Sequence, residues 1–188
     1  GQVANYLSKF FQRVYATDIS QRQLDHAAKA DNIIYSRSPA ENSFFEARQF
    51  DLITVGQALH WLNLPAFYRE VNRTAAPAGL LAVWGYSLLT IDPDIDELFL
   101  HFYNDVVGPY WDEARRHVEN HYSDLSFPFA QIPAPPFSIR VEWSRDQFIG
   151  YLSSWSATQK YIEANRQNPL DEFSKEVSVA WNEQDIKE

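Results

Sequence analysis

Residues 50–84 read FDLITVGQALHWLNLPAFYREVNRTAAPAGLLAVW, and this stretch decides the architecture. It opens on Phe50 to Val55, where Ile53, Thr54 and Val55 supply the β-branched side chains that suit a pleated sheet. Asn63, with Pro65 in the first turn behind it, is a helix start. Phe67, Tyr68 and Val71 then recur on one helical face. Pro77-Ala78-Gly79 turns the chain into Leu80-Leu81-Ala82-Val83-Trp84, a run apolar enough to be buried on both faces. Strand, helix and strand in this order predict a parallel pair joined by a right-handed crossover.

The same alternation extends upstream. Val3, Ala4, Leu7, Phe10 and Phe11 predict an amphipathic helix over 2–12, and Val14-Tyr15-Ala16-Thr17 a strand ending at Asp18. Ser20 with Gln23 is a capping box, and the helix it opens buries Leu24, Ala27 and Ala28. Ile33-Ile34-Tyr35 is the next strand. The expected fold class is α/β: a doubly wound, mostly parallel sheet with helices on both faces.

Downstream the chain turns helical, at 94–107 and 111–121, then 156–166 and 171–182. Phe137 to Trp143 alternates like a further strand, and Ser144 with Gln147 is a second capping box, opening a helix through Phe148, Tyr151 and Leu152. Residues 127–137, with Pro128, Pro133, Pro135 and Pro136, read as an extended packed loop. Charge divides at the same place. Residues 1–90 hold eight basic and seven acidic side chains, a net of +1; residues 91–188 hold eight and eighteen, a net of −10. No Gly/Ser-rich linker separates the halves, so residues 1–188 are expected to form one domain, with a sheet-bearing half at 1–90 and a helical lid at 91–188.

A formal charge of −9 argues against electrostatic binding to nucleic acid or to an anionic membrane. The chain has no Cys, which removes thiolate metal sites, a cysteine nucleophile and a disulfide scaffold. No apolar run approaches the roughly 18 residues of a membrane span, and no signal peptide opens the chain, so the cytosol is the expected compartment.

In an open α/β sheet ligands bind beyond the carboxyl ends of the strands. Asp18 ends the first strand, where a carboxylate can accept both hydroxyls of a ribose or simply precede a helix cap. Its spacing from Gly1 favours the ribose. Ser38-Pro39-Ala40-Glu41 follows the second strand and Gly56-Gln57-Ala58-Leu59-His60-Trp61 the third. Taken in order, Gly1-Gln2, Ala16-Thr17-Asp18-Ile19-Ser20 with Gln23-Leu24, Ser38-Pro39-Ala40-Glu41, the QALHW stretch and the Pro77-Ala78-Gly79 turn resemble the class I S-adenosylmethionine-dependent methyltransferases, which share a Rossmann-like sheet. Within them the chain is most similar to the small-molecule subgroup that includes trans-aconitate methyltransferase. Residues 1–90 carry the likeness, with a looser echo at Tyr151 to Tyr161.

The resemblance implies S-adenosylmethionine as cofactor and a small-molecule acceptor methylated on oxygen, a carboxylate among the acceptors it suggests. The spacing of His117 and His121 puts them on one helix face, yet without an HExxH pattern no metal is expected. It implies that Gly1 closes the loop around the cofactor's amino-acid half, that Asp18 takes the ribose hydroxyls and that Ile19 packs on the adenine. Ala40 would offer its amide to the adenine beside Glu41; Pro39 stands where many relatives have an Asp for the adenine amino group. Gln57 would follow the strand supporting the sulfonium, with His60 and Trp61 facing cofactor and acceptor. His60 could serve as a base where the acceptor loses a proton; a packed His-Trp pair is the structural alternative. Tyr86, Trp111, Trp155 and Tyr161 are wall or core aromatics, and Arg115, Arg116 and Arg140 could clamp an acidic acceptor.

Two other functions fit the same residues less well: a nicotinamide-dependent enzyme, against which QALHW and the Pro-Ala-Gly turn argue, and a catalytically empty binding module, for which Pro39 speaks. By the same resemblance a glycine-rich loop and the central strand would precede Gly1, so the chain reads as an internal fragment, cut at both ends. Alone it is expected to bind cofactor poorly and to be inactive, with the strands ending at Asp18 and near Gly56 a strand's width apart.

Overall fold

The computed structural model describes residues 1–181, 186 and 187. They group into two compact units, Gly1–Tyr86 with Asn120–Pro128, and Ser87–Glu119 with Phe129–Glu188.

The first unit contains α1 (Gln2–Leu7), β1 (Val14–Asp18), α2 (Gln21–Asp25), β2 (Ile33–Arg37), β3 (Phe50–Gly56), α3 (Leu64–Thr74) and β4 (Ala75–Trp84). β1 runs parallel to β2, from Val14 opposite Ile33 to Asp18 opposite Arg37. β3 runs parallel to β4, with Leu52 opposite Leu80 and Gly56 opposite Trp84. This is the Rossmann-like α/β architecture expected from the alternation of elements. Among the described residues β1 and β3 pair with β2 and β4 and not with each other.

Local sequence explains most boundaries. Asn63 caps α3 by accepting the Ala66 amide at 3.2 Å, and Phe67, Tyr68 and Val71 are its buried face. α1 stops five residues short of the predicted end. The Asn32 side-chain amide donates to the carbonyls of Ser8 and Phe11 at 2.8 and 2.9 Å, which turns the chain out of the helix toward β1. Ser20 caps α2 through the Gln23 amide, but that helix is only five residues long and none of them is fully buried. β4 begins earlier than predicted, at Ala75 opposite Phe50; Pro77-Ala78-Gly79 bulges out before Leu80, with Ala78 at φ 64°. The strand is also less buried than its composition suggests, and Leu80 is half exposed.

The second unit is helical: α4 (Pro93–His101), a π-helical turn over Phe102–Val106, α5 (Arg115–Glu119), α6 (Arg145–Ser153), α7 (Ser156–Asn165) and α8 (Leu170–Ala180). Asp92 caps α4 through the Ile95 amide at 3.0 Å. The Ser144–Gln147 capping box is complete: each side chain meets the other's backbone amide. Ile95, Phe99, Phe102, Phe148, Leu152, Phe173, Val177 and Trp181 form one buried cluster, with Phe102 and Phe173 ring centroids 4.6 Å apart.

Two predictions here are corrected. The helix expected over 111–121 is confined to Arg115–Glu119. Residues 137–142 form no strand, and only Trp143 makes an antiparallel bridge, to Lys187. The alternation there is real, but Phe137, Ile139 and Val141 are all exposed, and Pro135 and Pro136 lack the amide protons with which a ladder would start. The last residue of the final predicted helix, 182, lies outside the described residues.

Candidate functional site

The facing edges of β1 and β3 bound a cavity of about 450 Å³ in the first unit. Its lining joins the start of α1, both strands and the inner face of α3, and three of the predicted residues meet there: Gly1, Asp18 and Ala40. Gly1 is the N-cap of α1 and lies so close to the turn after α2 and to β2 that a Cβ there would stand 2.8 Å from Ala27 Cβ and 3.1 Å from the Tyr35 hydroxyl. No larger residue fits without displacing them. Asp18 sits at the carboxyl end of β1. Its Oδ1 accepts the Ser20 amide at 2.8 Å, which fixes the side chain and leaves Oδ2 for another donor.

The loop from Ser43 to Phe45 closes one side of this cavity and is tied down by charge. Glu70 on α3 accepts the Ser43 amide at 2.9 Å and the Ser43 hydroxyl at 2.5 Å. Arg73 grips the same carboxylate at 2.6 and 2.8 Å and donates to the Phe45 carbonyl at 2.7 Å. Arg73's hydrogen bonds, reinforced by Ser43 and opposed by burial, pull the Glu70 carboxyl down to about 2. Phe45 is thereby held edge-on against Phe50 and Tyr15, with ring centroids 4.8 and 5.2 Å away.

Other predicted residues lie outside the cavity lining. Ile19 is exposed on the turn after β1, pinned by the Arg37 guanidinium, which donates to its carbonyl at 2.9 Å. Glu41 accepts the Asn63 amide at 3.0 Å and so fastens the Ala40 loop to the start of α3.

Gln57, His60 and Trp61 form a second group beyond the carboxyl ends of β3 and β4. Gln57 takes a left-handed φ of 51°, and its side chain pairs with the Tyr86 backbone in both directions, at 2.8 and 3.1 Å. His60 lies in a short 3-10 turn, Leu59–Trp61, with the exposed Trp61 ring 4.8 Å away. Its Nδ1 is 3.0 Å from the hydroxyl of Tyr122. Sequence reasoning missed Tyr122, which lies 62 positions away. The one local hint was Gly85 directly after a strand: a Cβ there would stand 2.9 Å from Gln57 Oε1 and 3.1 Å from Tyr122 Cε2.

In the second unit the Trp111 and Trp155 rings meet at a tilt of 53° with centroids 5.3 Å apart, and Tyr161 meets Tyr110 at 5.1 Å. Of the three arginines considered for an acidic acceptor, Arg115 lies 4.9 Å over the Trp111 ring and donates to the Tyr103 hydroxyl at 3.1 Å. Burial, aided by a hydrogen bond to Glu119, pushes Tyr103 up to about 12. Among the described residues no group of three or more His, Asp or Glu could hold a metal ion, and no helix is long and apolar enough to cross a membrane.

Known proteins give this geometry a context. A family model described as a methyltransferase domain matches residues 1–83. A methyltransferase of Dictyostelium discoideum is 34% identical over 188 residues, covering 98% of this chain and 72% of the relative. An S-adenosylmethionine-dependent methyltransferase of Saccharomyces cerevisiae is 24% identical over 227 residues, covering 99% and 77%. The solved structure of a type II methyltransferase from Anaeromyxobacter dehalogenans superposes with a TM-score of 0.89 at 33% identity, over 100% of this chain and 80% of that one.

Proposed function

Because the chain belongs to the class I S-adenosylmethionine-dependent methyltransferases, we propose that its cavity between β1 and β3 receives S-adenosylmethionine and that the methyl group goes to an oxygen of a small-molecule acceptor. The observation that carries this reading is the meeting of Gly1, Asp18 and Ala40 around one cavity. The residues fit the cofactor's chemistry. Asp18 has a carboxylate oxygen to spare for a ribose, Gly1 allows backbone to approach closely, and Ala40 lies on the same lining. Ile19 and Glu41 would flank the adenine from the turns after β1 and β2.

When bound, the cofactor supplies an electrophilic methyl on a cationic sulfur. The chain's own part is alignment and exclusion of water. Gln57 fixes the turn after β3 through its hold on Tyr86, and the Trp61 ring offers an electron-rich face to a nearby cation. His60 bears on the choice of acceptor. A carboxylate, which the family likeness suggests, is methylated without a base, whereas a hydroxyl must surrender its proton. The excess of acid in residues 91–188 supports a small molecule over a nucleic acid as acceptor, and the absence of Cys is compatible with a cytosolic setting.

Asp18→Asn provides the test, since the amide oxygen still accepts the Ser20 amide. In the full-length protein it should weaken S-adenosylmethionine binding about tenfold or more in calorimetry, the loss of a charge-assisted contact to two hydroxyls. Unchanged affinity in a folded variant would remove Asp18 from the cofactor site.

A further inference from the structure

Residues Asn120–Pro128 lie far along the chain, between helices of the second unit, yet pack with the first. Their anchor is α3: the Tyr68 hydroxyl donates to the Ser126 carbonyl at 2.8 Å, and the Tyr68 and Phe127 rings meet edge-on at 5.9 Å. At the other end of the segment two consecutive residues, His121 at φ 51° and Tyr122 at φ 58°, adopt the left-handed conformation. Neither is Gly, and the bulky Tyr122 in particular pays a steric penalty that persists only where the surroundings enforce it. The outcome of this strain is specific: the Tyr122 hydroxyl arrives 3.0 Å from His60 Nδ1, with the two rings nearly parallel at an interplanar angle of 25°. Gly85 supplies the clearance, because a side chain there would meet both the Tyr122 ring and the Gln57 amide. A third left-handed residue, Gln57, stands at the same strand ends.

We infer that Tyr122 is a positioning residue of the active site: its hydroxyl oxygen accepts a hydrogen bond from His60 Nδ1–H, holding the ring in the tautomer whose Nε2 lone pair takes the acceptor's proton. This rests on the methyltransferase reading above and deepens it, since a histidine so held serves an acceptor that has a proton to lose, a hydroxyl, where a carboxylate would have no use for it. Which ring nitrogen carries the proton is set by the hydrogen bond that the other makes. In the transfer the O–H bond breaks, its electron pair stays on the acceptor oxygen and the proton bonds to Nε2. The resulting imidazolium keeps its Nδ1–H on Tyr122 and returns the Nε2 proton to solvent.

Nitrogen-15 NMR of the histidine rings tests this on the protein itself, with His60→Asn assigning the signal and S-adenosylmethionine calorimetry run in parallel. The expected spectrum of the wild type shows His60 protonated at Nδ1, with an unprotonated Nε2. Tyr122→Phe, whose ring can still stack, should shift His60 toward the Nε2–H form while cofactor affinity stays within about twofold. Gly85→Ala, whose Cβ would crowd Tyr122 as well as Gln57, should shift the same His60 signal. An Nε2–H tautomer in the wild type overturns the inference, as does a His60 signal indifferent to Tyr122→Phe. A Tyr122→Phe variant that fails to fold leaves the wild-type tautomer to decide. Failure of cofactor binding in the wild type would strike the proposed function instead, and the NMR result would stand apart from it.

Discussion

The two units of this chain are held together in different ways. The helical unit is closed by aromatic packing: Phe148 is fully buried and lies within 6.2 Å, centroid to centroid, of Phe99, Phe173 and Trp181. The sheet-bearing unit has two short parallel pairs around a cavity, and polar ties carry much of its organisation. Asn32 catches two carbonyls, Tyr35 donates to Ala28 at 2.7 Å, and Glu70 gathers Ser43 and Arg73. A unit that keeps a cavity open cannot fill it with side chains, so directional bonds must fix the loops around it. The unit without that obligation packs like an ordinary core.

The largest expected effect tests the packed side. Phe148→Ala should cost about 3–5 kcal/mol, as large-to-small changes in tight cores do. Phe67→Ala in the other unit is its counterpart, for Phe67 is nearly as buried but already borders the cavity. It gives up fewer contacts and should cost clearly less. Urea unfolding of both variants, followed by tryptophan fluorescence and far-ultraviolet circular dichroism, makes the comparison. Equal costs, or a larger one at Phe67, would break the contrast.

A smaller effect tests the polar side. Glu70 has a carboxyl near 2 in the folded chain against an ordinary value of 4.5, so the native state binds its proton less readily than the unfolded chain does. Its contribution is therefore fully present above about 4.5 and is lost as pH falls from there toward 2. Glu70→Gln should lower Tm by about 2–4 °C at pH 7 and flatten the acid limb of the stability curve. Amide exchange should show the Ser43–Phe45 loop loosening in the wild type between pH 4.5 and 3, with no such step in the variant. Asp92, lowered by Lys187 and the Ile95 amide despite its burial, gives the helical unit an acid response of its own, which Glu70→Gln should leave untouched.

What could be read in the sequence follows a physical divide. Signals between a side chain and backbone within a turn were legible: the caps at Ser20, Asn63 and Ser144, and the runs that became β1, β2 and β3. Features that depend on distant partners were not. Asn32 shortens α1 from more than twenty residues away, Pro77-Ala78-Gly79 bulges because Phe50 finds Ala75, and 137–142 alternates without a neighbour to pair with. The site divides in the same way. Gly1 heads α1, Asp18 ends β1 and Ala40 lies in the loop after β2, places that follow from the order of elements, and the three meet at the cavity. Tyr122 reaches His60 only because two residues accept left-handed backbone, which nothing in their composition announces.

The smallest effect concerns a polar group inside the packed unit. Thr158 on α7 is fully buried, and its hydroxyl has no hydrogen-bond partner among the described residues. If packing rather than polar ties holds this unit, that hydroxyl contributes nothing and carries a desolvation cost. Thr158→Val keeps the shape and the β-branch, replacing the hydroxyl by a methyl. Removing a buried unsatisfied group in this way is neutral to stabilising, by about 0–2 kcal/mol, so Tm should stay level or rise by a few degrees. A loss of 1 kcal/mol or more in urea unfolding (~1 kcal/mol being the worth of a typical net hydrogen bond) would mean that the hydroxyl is bonded after all. It would make Thr158 a polar tie of the kind that the contrast assigns to the other unit.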